Sequence, residues 1–324
     1  MKTKTPLQYP GYWKIRKVIK KLNTHFLNYN INFDEDEHIL VFSSPRGGST
    51  WLAEVLSNIL DVPVLWEPML KRTSSRFYKL NFAEMQYLPK EDPNEEVIKQ
   101  FQRLLKGKGI DAWEKQKTDS KSLIKSNKVL IKFCRGNMLL PYITNQFNFK
   151  KKPVFLIRHP FAVVASQMKH IGWKDVKSTF EIPKNQHNEV YTRHQDYLKT
   201  LKSKELILLA QWCITNKVPL DDSQNNKDWI TITYEEMILN PQLTVKRIFD
   251  EWGIETNVNS INFQKKSSTT RQGSPILPKD QLGYWKTSFN DKQINQMIEV
   301  LNYFSIELYD SDVMPKVLFN KNSR

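Results

Sequence analysis

The sequence has no run of about 18 consecutive apolar residues, which excludes an obvious transmembrane helix. Residues 1–26 are positively charged but carry no apolar core and no small-residue cleavage site, so they do not read as a secretory signal. Basic and apolar residues alternate there at roughly helical spacing. That pattern suits a basic helix packed on the domain, or one that touches a membrane surface peripherally. Cysteine is scarce: Cys134 and Cys213 are the only two, and neither belongs to a CxxC or Cys/His spacing. No metal site is expected, and two buried thiols point to a reducing, cytoplasmic compartment. Signatures of helix-turn-helix, zinc-finger or RNA-binding modules are missing, as are internal repeats and low-complexity tracts.

The chain of 324 residues is 40% hydrophobic and 26% charged, as expected of a globular protein large enough for a substantial core. Its net charge of +15 argues for an anionic partner without saying which. Strand-like apolar runs lie at 39–43, 62–66, 129–134, 153–158 and 229–237, the last running into a helix start, separated by helical periodicities. Helices are expected over 50–60, 139–147, 160–170, 191–217, 241–252 and 290–304. The stretch 259–288 reads as a Ser/Thr/Pro/Gly-rich loop. This alternation implies a single α/β domain spanning 1–324, with a mainly parallel sheet of about five strands flanked by helices. Polar inserts at about 71–127 and 171–205 interrupt the pattern.

Two strand-to-helix junctions carry the chemistry. In "SSPRGGSTWLAEVL", residues 43–56, a strand ends and a helix begins across Arg46, Gly47, Gly48, Ser49 and Thr50. Converging backbone N–H groups and a helix N-terminus make such a turn an anion cradle. Glycine admits close approach, and Ser49 and Thr50 can cap the helix or donate to oxygen. No lysine precedes the hydroxyls as a Walker A loop requires, which weakens an ATPase or kinase reading. In "FLIRHPFAVVASQ", residues 155–167, Arg158 ends a strand and Ser166 follows eight residues later on a helix opened by Pro160. A nucleotide with a second phosphate away from its 5′ chain needs two anion clamps, and two junctions in one sheet can supply both.

"PRGGSTWL" resembles the 5′-phosphosulfate loop of sulfotransferases that use 3′-phosphoadenosine 5′-phosphosulfate (PAPS). "IRHPFAVVASQ" is similar to their 3′-phosphate motif, "TYEEMILNP" to their tyrosine-acidic-acidic segment, and "TTRQG" with "LGYWKTSF" to their late cofactor loop. The four segments occur in the family's order over about residues 39–304. The resemblance implies a P-loop-like fold and PAPS as co-substrate, with no metal. It assigns the 5′-phosphate to Arg46, Gly47, Gly48, Ser49 and Thr50, the 3′-phosphate to Arg158 and Ser166 closed over by Arg271 and Gly273, and adenine to Trp51 and Tyr234. Arg46 stands where many members carry lysine, and Cys134 stands where cytosolic members place a catalytic histidine. That departure points toward the carbohydrate and bacterial members with a carboxylate base.

Glu67, directly after the second strand, is the expected base, with His170 as runner-up. Lys132 either assists with charge or pairs with an acid, and His159 is structural. Each assignment has a plainer counterpart: Trp51 and Tyr234 as core aromatics, Arg271 as a surface charge, Trp285 as loop packing, Glu67 as a surface salt bridge, His170 as a solvated polar residue. The acceptor is a hydroxyl compound, a carbohydrate or other small molecule; the lysine excess of the inserts suits an acidic glycan or a merely solvated surface. The alternatives are a P-loop-type nucleotide kinase or other nucleotide-binding protein, and a non-enzymatic binder of nucleic acid or membrane.

Overall fold

Five short runs of β-branched and apolar residues form one all-parallel sheet in a computed structural model that describes residues 26–27, 29–70, 75–78, 80–258, 261, 263, 268 and 278–319. The strands are β1 (Ile39–Ser43), β2 (Val64–Trp66), β3 (Leu130–Phe133), β4 (Val154–Ile157) and β5 (Ile230–Thr233), in the spatial order β2-β3-β1-β4-β5. Residues of β1 are fully buried, as a central parallel strand requires. Its register sets Val41 opposite Lys132 on one side and Val154 on the other.

The longer helices are α1 (Ser49–Leu60), α2 (Glu95–Leu105), α3 (Leu140–Gln146), α4 (Pro160–Met168), α5 (Lys204–Asp221), α6 (Tyr234–Leu239), α7 (Pro241–Glu251) and α8 (Asp291–Tyr303). Strand side chains alternate between two cores. Ile39, Val41, Leu156 and Ile232 pack with α1, α6 and α7 on one face. Leu40, Phe42, Phe133 and Phe155 pack with α3, α4 and α5 on the other. Helix α5 lies against α4 and α8, closing that second layer. With helices on both faces, ligands are left the crevice at the carboxyl ends of the strands, where the strand order switches around β1.

Two expected elements differ. The helix read over 191–217 is broken into Glu189–Thr192, Gln195–Thr200 and α5. Leu201 and Ser203 take extended backbone between the pieces, and Leu198 and Leu201 turn into the core there. Within the stretch read as loop, Pro278–Gly283 is helical and Tyr284–Ser288 forms a 3₁₀ turn. That turn is pinned because Trp285 is buried against the His159 ring, 4.7 Å between centroids. The basic N-terminal segment, residues 1–25, lies outside the described residues. No described helix is long and apolar enough to cross a membrane.

Leu156 on β4 has no exposed surface, so Leu156→Ala is expected to cost about 2–5 kcal/mol in urea unfolding. Leu243 is 60% exposed, and Leu243→Ala should stay within about 0.5 kcal/mol. Equal losses at the two positions would contradict the described core.

Candidate active site

The β1–α1 turn closes only around glycine. An added Cβ at Gly47 would sit 2.3 Å from Ser43 Oγ and 2.8 Å from the Ser44 carbonyl oxygen. At Gly48, φ is +97° and an added Cβ would lie 2.3 Å from the Tyr234 ring. The same contact leaves no room for the lysine a Walker loop places before its hydroxyls. Gly48 is the N-cap of α1 and no side chain caps that helix. Among the described residues the N–H groups of Gly48, Ser49 and Thr50 find no acceptor. Ser49 is not the cap its position suggested: its hydroxyl meets Cys134 Sγ at 3.2 Å.

Buried amides and hydroxyls hold the turn from behind. Asn216 of α5, fully buried, donates to Ser44 Oγ at 2.9 Å, and Asn137 donates to Asn216 Oδ1 at 3.0 Å. Gln167 of α4 donates to the Pro45 carbonyl at 3.1 Å. None of these three was singled out from the sequence, since a lone buried amide has no periodicity or motif to mark it.

Arg158, at the end of β4, stacks on the Tyr234 ring at 4.3 Å and donates to the Arg46 carbonyl at 3.2 Å. Its Nε is buried and has no hydrogen-bond partner among the described residues. Arg46 itself takes φ +73° and its Nε donates to Ser166 Oγ at 3.0 Å. The two junctions read separately in the sequence therefore touch. Arg46, Gly48, Ser49, Thr50, Trp51, Glu67, Lys132, Arg158, Ser166, His170 and Tyr234, as predicted site residues, all line one cavity of about 1400 Å³. Gly47 lies behind the lining, and Arg271 and Gly273 lie outside the described residues.

Lys132 pairs with an acid. Its Nζ is 2.9 Å from Glu67 Oε1, 3.2 Å from Cys134 Sγ and 3.6 Å above the Trp66 ring. Arg135 takes the other Glu67 oxygen at 3.0 Å and reaches Glu84 at 2.6 Å. Burial pushes the Glu67 carboxyl up, but the Lys132 and Arg135 charges outweigh it and hold the group below the usual carboxylate range. Burial pushes the Cys134 thiol up, so this residue stays a neutral bridge between Ser49 and Lys132. Glu67 also has φ +44°, a left-handed backbone that costs on the order of 1–3 kcal/mol and persists where surrounding bonds dictate it. The amide of Glu67 donates to the Lys132 carbonyl at 2.9 Å, which supplies one such bond.

His159 is structural. Nδ1 accepts the Phe161 amide at 3.2 Å, capping α4, so in the neutral ring Nε2 carries the proton, which it donates to the Asp312 carbonyl at 2.9 Å. Glu235 accepts the His159 amide at 3.0 Å and the Tyr309 hydroxyl at 2.9 Å, so this acid of "TYEEM" braces the β4–α4 junction from behind. His170 Nδ1 accepts the Gly172 amide at 3.0 Å, which places the proton of the neutral ring on Nε2.

Burial holds the His159 imidazole down to about 3, from 6.5 unfolded. Between those values the unfolded chain binds a proton the fold excludes, so this residue makes stability rise with pH and is destabilising as pH falls from 6.5. His159→Gln should therefore reduce the slope of unfolding free energy against pH, measured between about pH 6 and 5, by up to about 1.4 kcal/mol per pH unit. An unchanged slope would mean the fold tolerates the imidazolium.

Residues 36–309 match the family model described as "Sulfotransferase domain". No curated protein matches the sequence. Among solved structures, mouse sulfotransferase SULT7A1 complexed with PAP is 17% identical at a TM-score of 0.41, over 86% of this chain and 86% of that one. The sulfotransferase domain from the curacin biosynthetic pathway is 16% identical at 0.43, over 83% and 97%. Retinol dehydratase in complex with androsterone and the inactive cofactor PAP is 15% identical at 0.42, over 88% and 84%. The family model spans most of the chain and takes in the β1–α1 turn, the Arg158 junction and the Lys132–Glu67 pair, and it alone carries the conclusion that this chain belongs to the sulfotransferase family.

Proposed function

We propose that the protein transfers a sulfuryl group from PAPS to the hydroxyl of a carbohydrate or other small molecule, in line and with a carboxylate base. The observation that carries this reading is the meeting of two arginine-bearing junctions on one cavity, with a bare helix N-terminus between them. Arg46 and Arg158 lie close enough to share a hydrogen bond, and the buried Nε of Arg158 has no partner among the described residues. An adenosine carrying phosphates on both its 5′ and 3′ oxygens matches that pair of clamps. The close-packed Gly47 and Gly48 give its 5′ end a backbone to approach.

When bound, PAPS supplies the sulfuryl group and a good leaving phosphate. Gly48, Ser49 and Thr50 orient the 5′ end through their unpaired amides. Arg46 neutralises the charge that grows on the departing 5′-phosphate oxygen as the sulfur–oxygen bond breaks. Arg158 and Ser166 grip the 3′-phosphate, to which the resemblance also assigns Arg271 and Gly273, and Trp51 and Tyr234 contact adenine. Glu67 takes the proton from the acceptor hydroxyl as its oxygen bonds to sulfur. The Lys132 and Arg135 pairs keep Glu67 ionised at neutral pH and aimed, at the cost of some basicity. His170 is less suited, because its Nδ1 lone pair is already occupied by the Gly172 amide. A kinase reading is disfavoured by the Tyr234 ring that fills the Walker lysine's position.

PAP, the 3′,5′-bisphosphate of adenosine, should raise the melting temperature strongly and ATP much less. Arg158→Ala should erase that difference, and equal shifts from both nucleotides in the native protein would overturn the two-clamp reading. In assays with labelled PAPS, Arg46→Ala is expected to lower kcat by on the order of 10²–10³. Glu67→Gln should abolish transfer while leaving the PAP shift intact, and retained turnover would remove Glu67 from the mechanism.

A further inference from the structure

The cavity is much larger than the nucleotide clamps, and the two polar inserts build its far wall. They are cross-bonded. Asn185 donates to Gln86 Oε1 at 2.6 Å, Gln86 donates to the Gln186 carbonyl at 2.9 Å, and the Tyr191 hydroxyl donates to the Met85 carbonyl at 3.2 Å. This joined wall turns Met85, Trp113, Trp173 and Val176 toward the cavity, and α5 adds Ile207 and Leu208.

Among the described residues, the basic groups along this half are already matched. Lys132 lies on Glu67, Arg135 lies between Glu67 and Glu84, and Lys177 pairs with Glu181. Every one of these acids lines the cavity beside its cation, and Asp175 adds a further carboxylate. Lys169 sits one turn past Ser166, where its Nζ donates to Ser288 at 2.9 Å and lies 4.7 Å from the Tyr284 ring, so it belongs with the nucleotide clamps. The net charge of +15 is therefore not focused on the acceptor wall. A polyanion brought there would face the carboxylates of Glu67, Glu84, Glu181 and Asp175, with Lys132, Arg135 and Lys177 already committed to the first three. Apolar groups would instead lose water to indole, thioether and aliphatic surfaces, and aromatic rings would stack on Trp113 or Trp173.

We infer that the acceptor is an uncharged hydroxyl compound with an apolar body, an aryl or long-chain alkyl alcohol, and not an acidic glycan. This rests on the PAPS reading above, because it assigns the remainder of that site.

The test uses the full chain, labelled PAPS and three probes: 2-naphthol, 1-decanol and chondroitin. PAP thermal shifts are run in parallel. Label should pass to 2-naphthol or 1-decanol at least about tenfold faster than to chondroitin, and the preferred rate should change little with added salt. Trp173→Ala should raise the KM for the preferred alcohol several-fold with an unchanged PAP shift. Equal or faster labelling of chondroitin, or an unchanged KM in the folded Trp173→Ala protein, overturns the assignment. A PAP shift with neither alcohol labelled also overturns it while leaving the PAPS reading standing. No PAP shift at all sinks the PAPS reading itself.

Discussion

A stack of three groups holds the nucleotide end together: the bare Cα of Gly48, the ring of Tyr234 and the guanidinium of Arg158. The ring occupies the volume a side chain on Gly48 would need, and the guanidinium lies over the same ring, 4.3 Å from its centroid. These residues come from the ends of β1, β5 and β4, three neighbours in the sheet. Pressing them together places Arg158 where it can bond the Arg46 carbonyl, and Arg46 where it can bond Ser166. Any side chain at position 48 would part all three junctions at once.

Charge is divided unevenly around the cavity. At the nucleotide end, Arg158 donates to a carbonyl and Arg46's Nε to a hydroxyl. Along the β2–β3 edge, Glu67 binds Lys132 and Arg135 together, and Cys134 links that pair to Ser49 of the anion turn. A neutral thiol thus couples the carboxylate to the loop where a histidine would bring its own titration. Glu67 and Arg46, one in each of these two places, both take positive φ.

Much of this was legible along the chain. The five strands, their parallel arrangement and the two strand-to-helix junctions follow from runs of β-branched residues, from Gly47–Gly48 and from Pro160, all local signals. The broken helix at 189–221 was not, because the helical spacing of its side chains continues through Leu201–Ser203 while the backbone there turns to bury Leu201. Nor was the role of Ser49, which has the composition of a cap but a nearer partner in Cys134, a residue 85 positions away.

The sequence by itself determined that strand ends would present anion cradles, since a glycine turn before a helix is a short-range instruction written in a few adjacent residues. Only the tertiary structure decided which charge meets which partner. Lys132 and Glu67 lie 65 residues apart, and Arg46 and Ser166 120 apart, and nothing in a linear chain says which cation will meet a carboxylate and which a hydroxyl. That choice is made by strand order, because Coulombic pairing falls off over a few ångströms and is settled only when the β2–β3 and β1–β4 edges have been brought together.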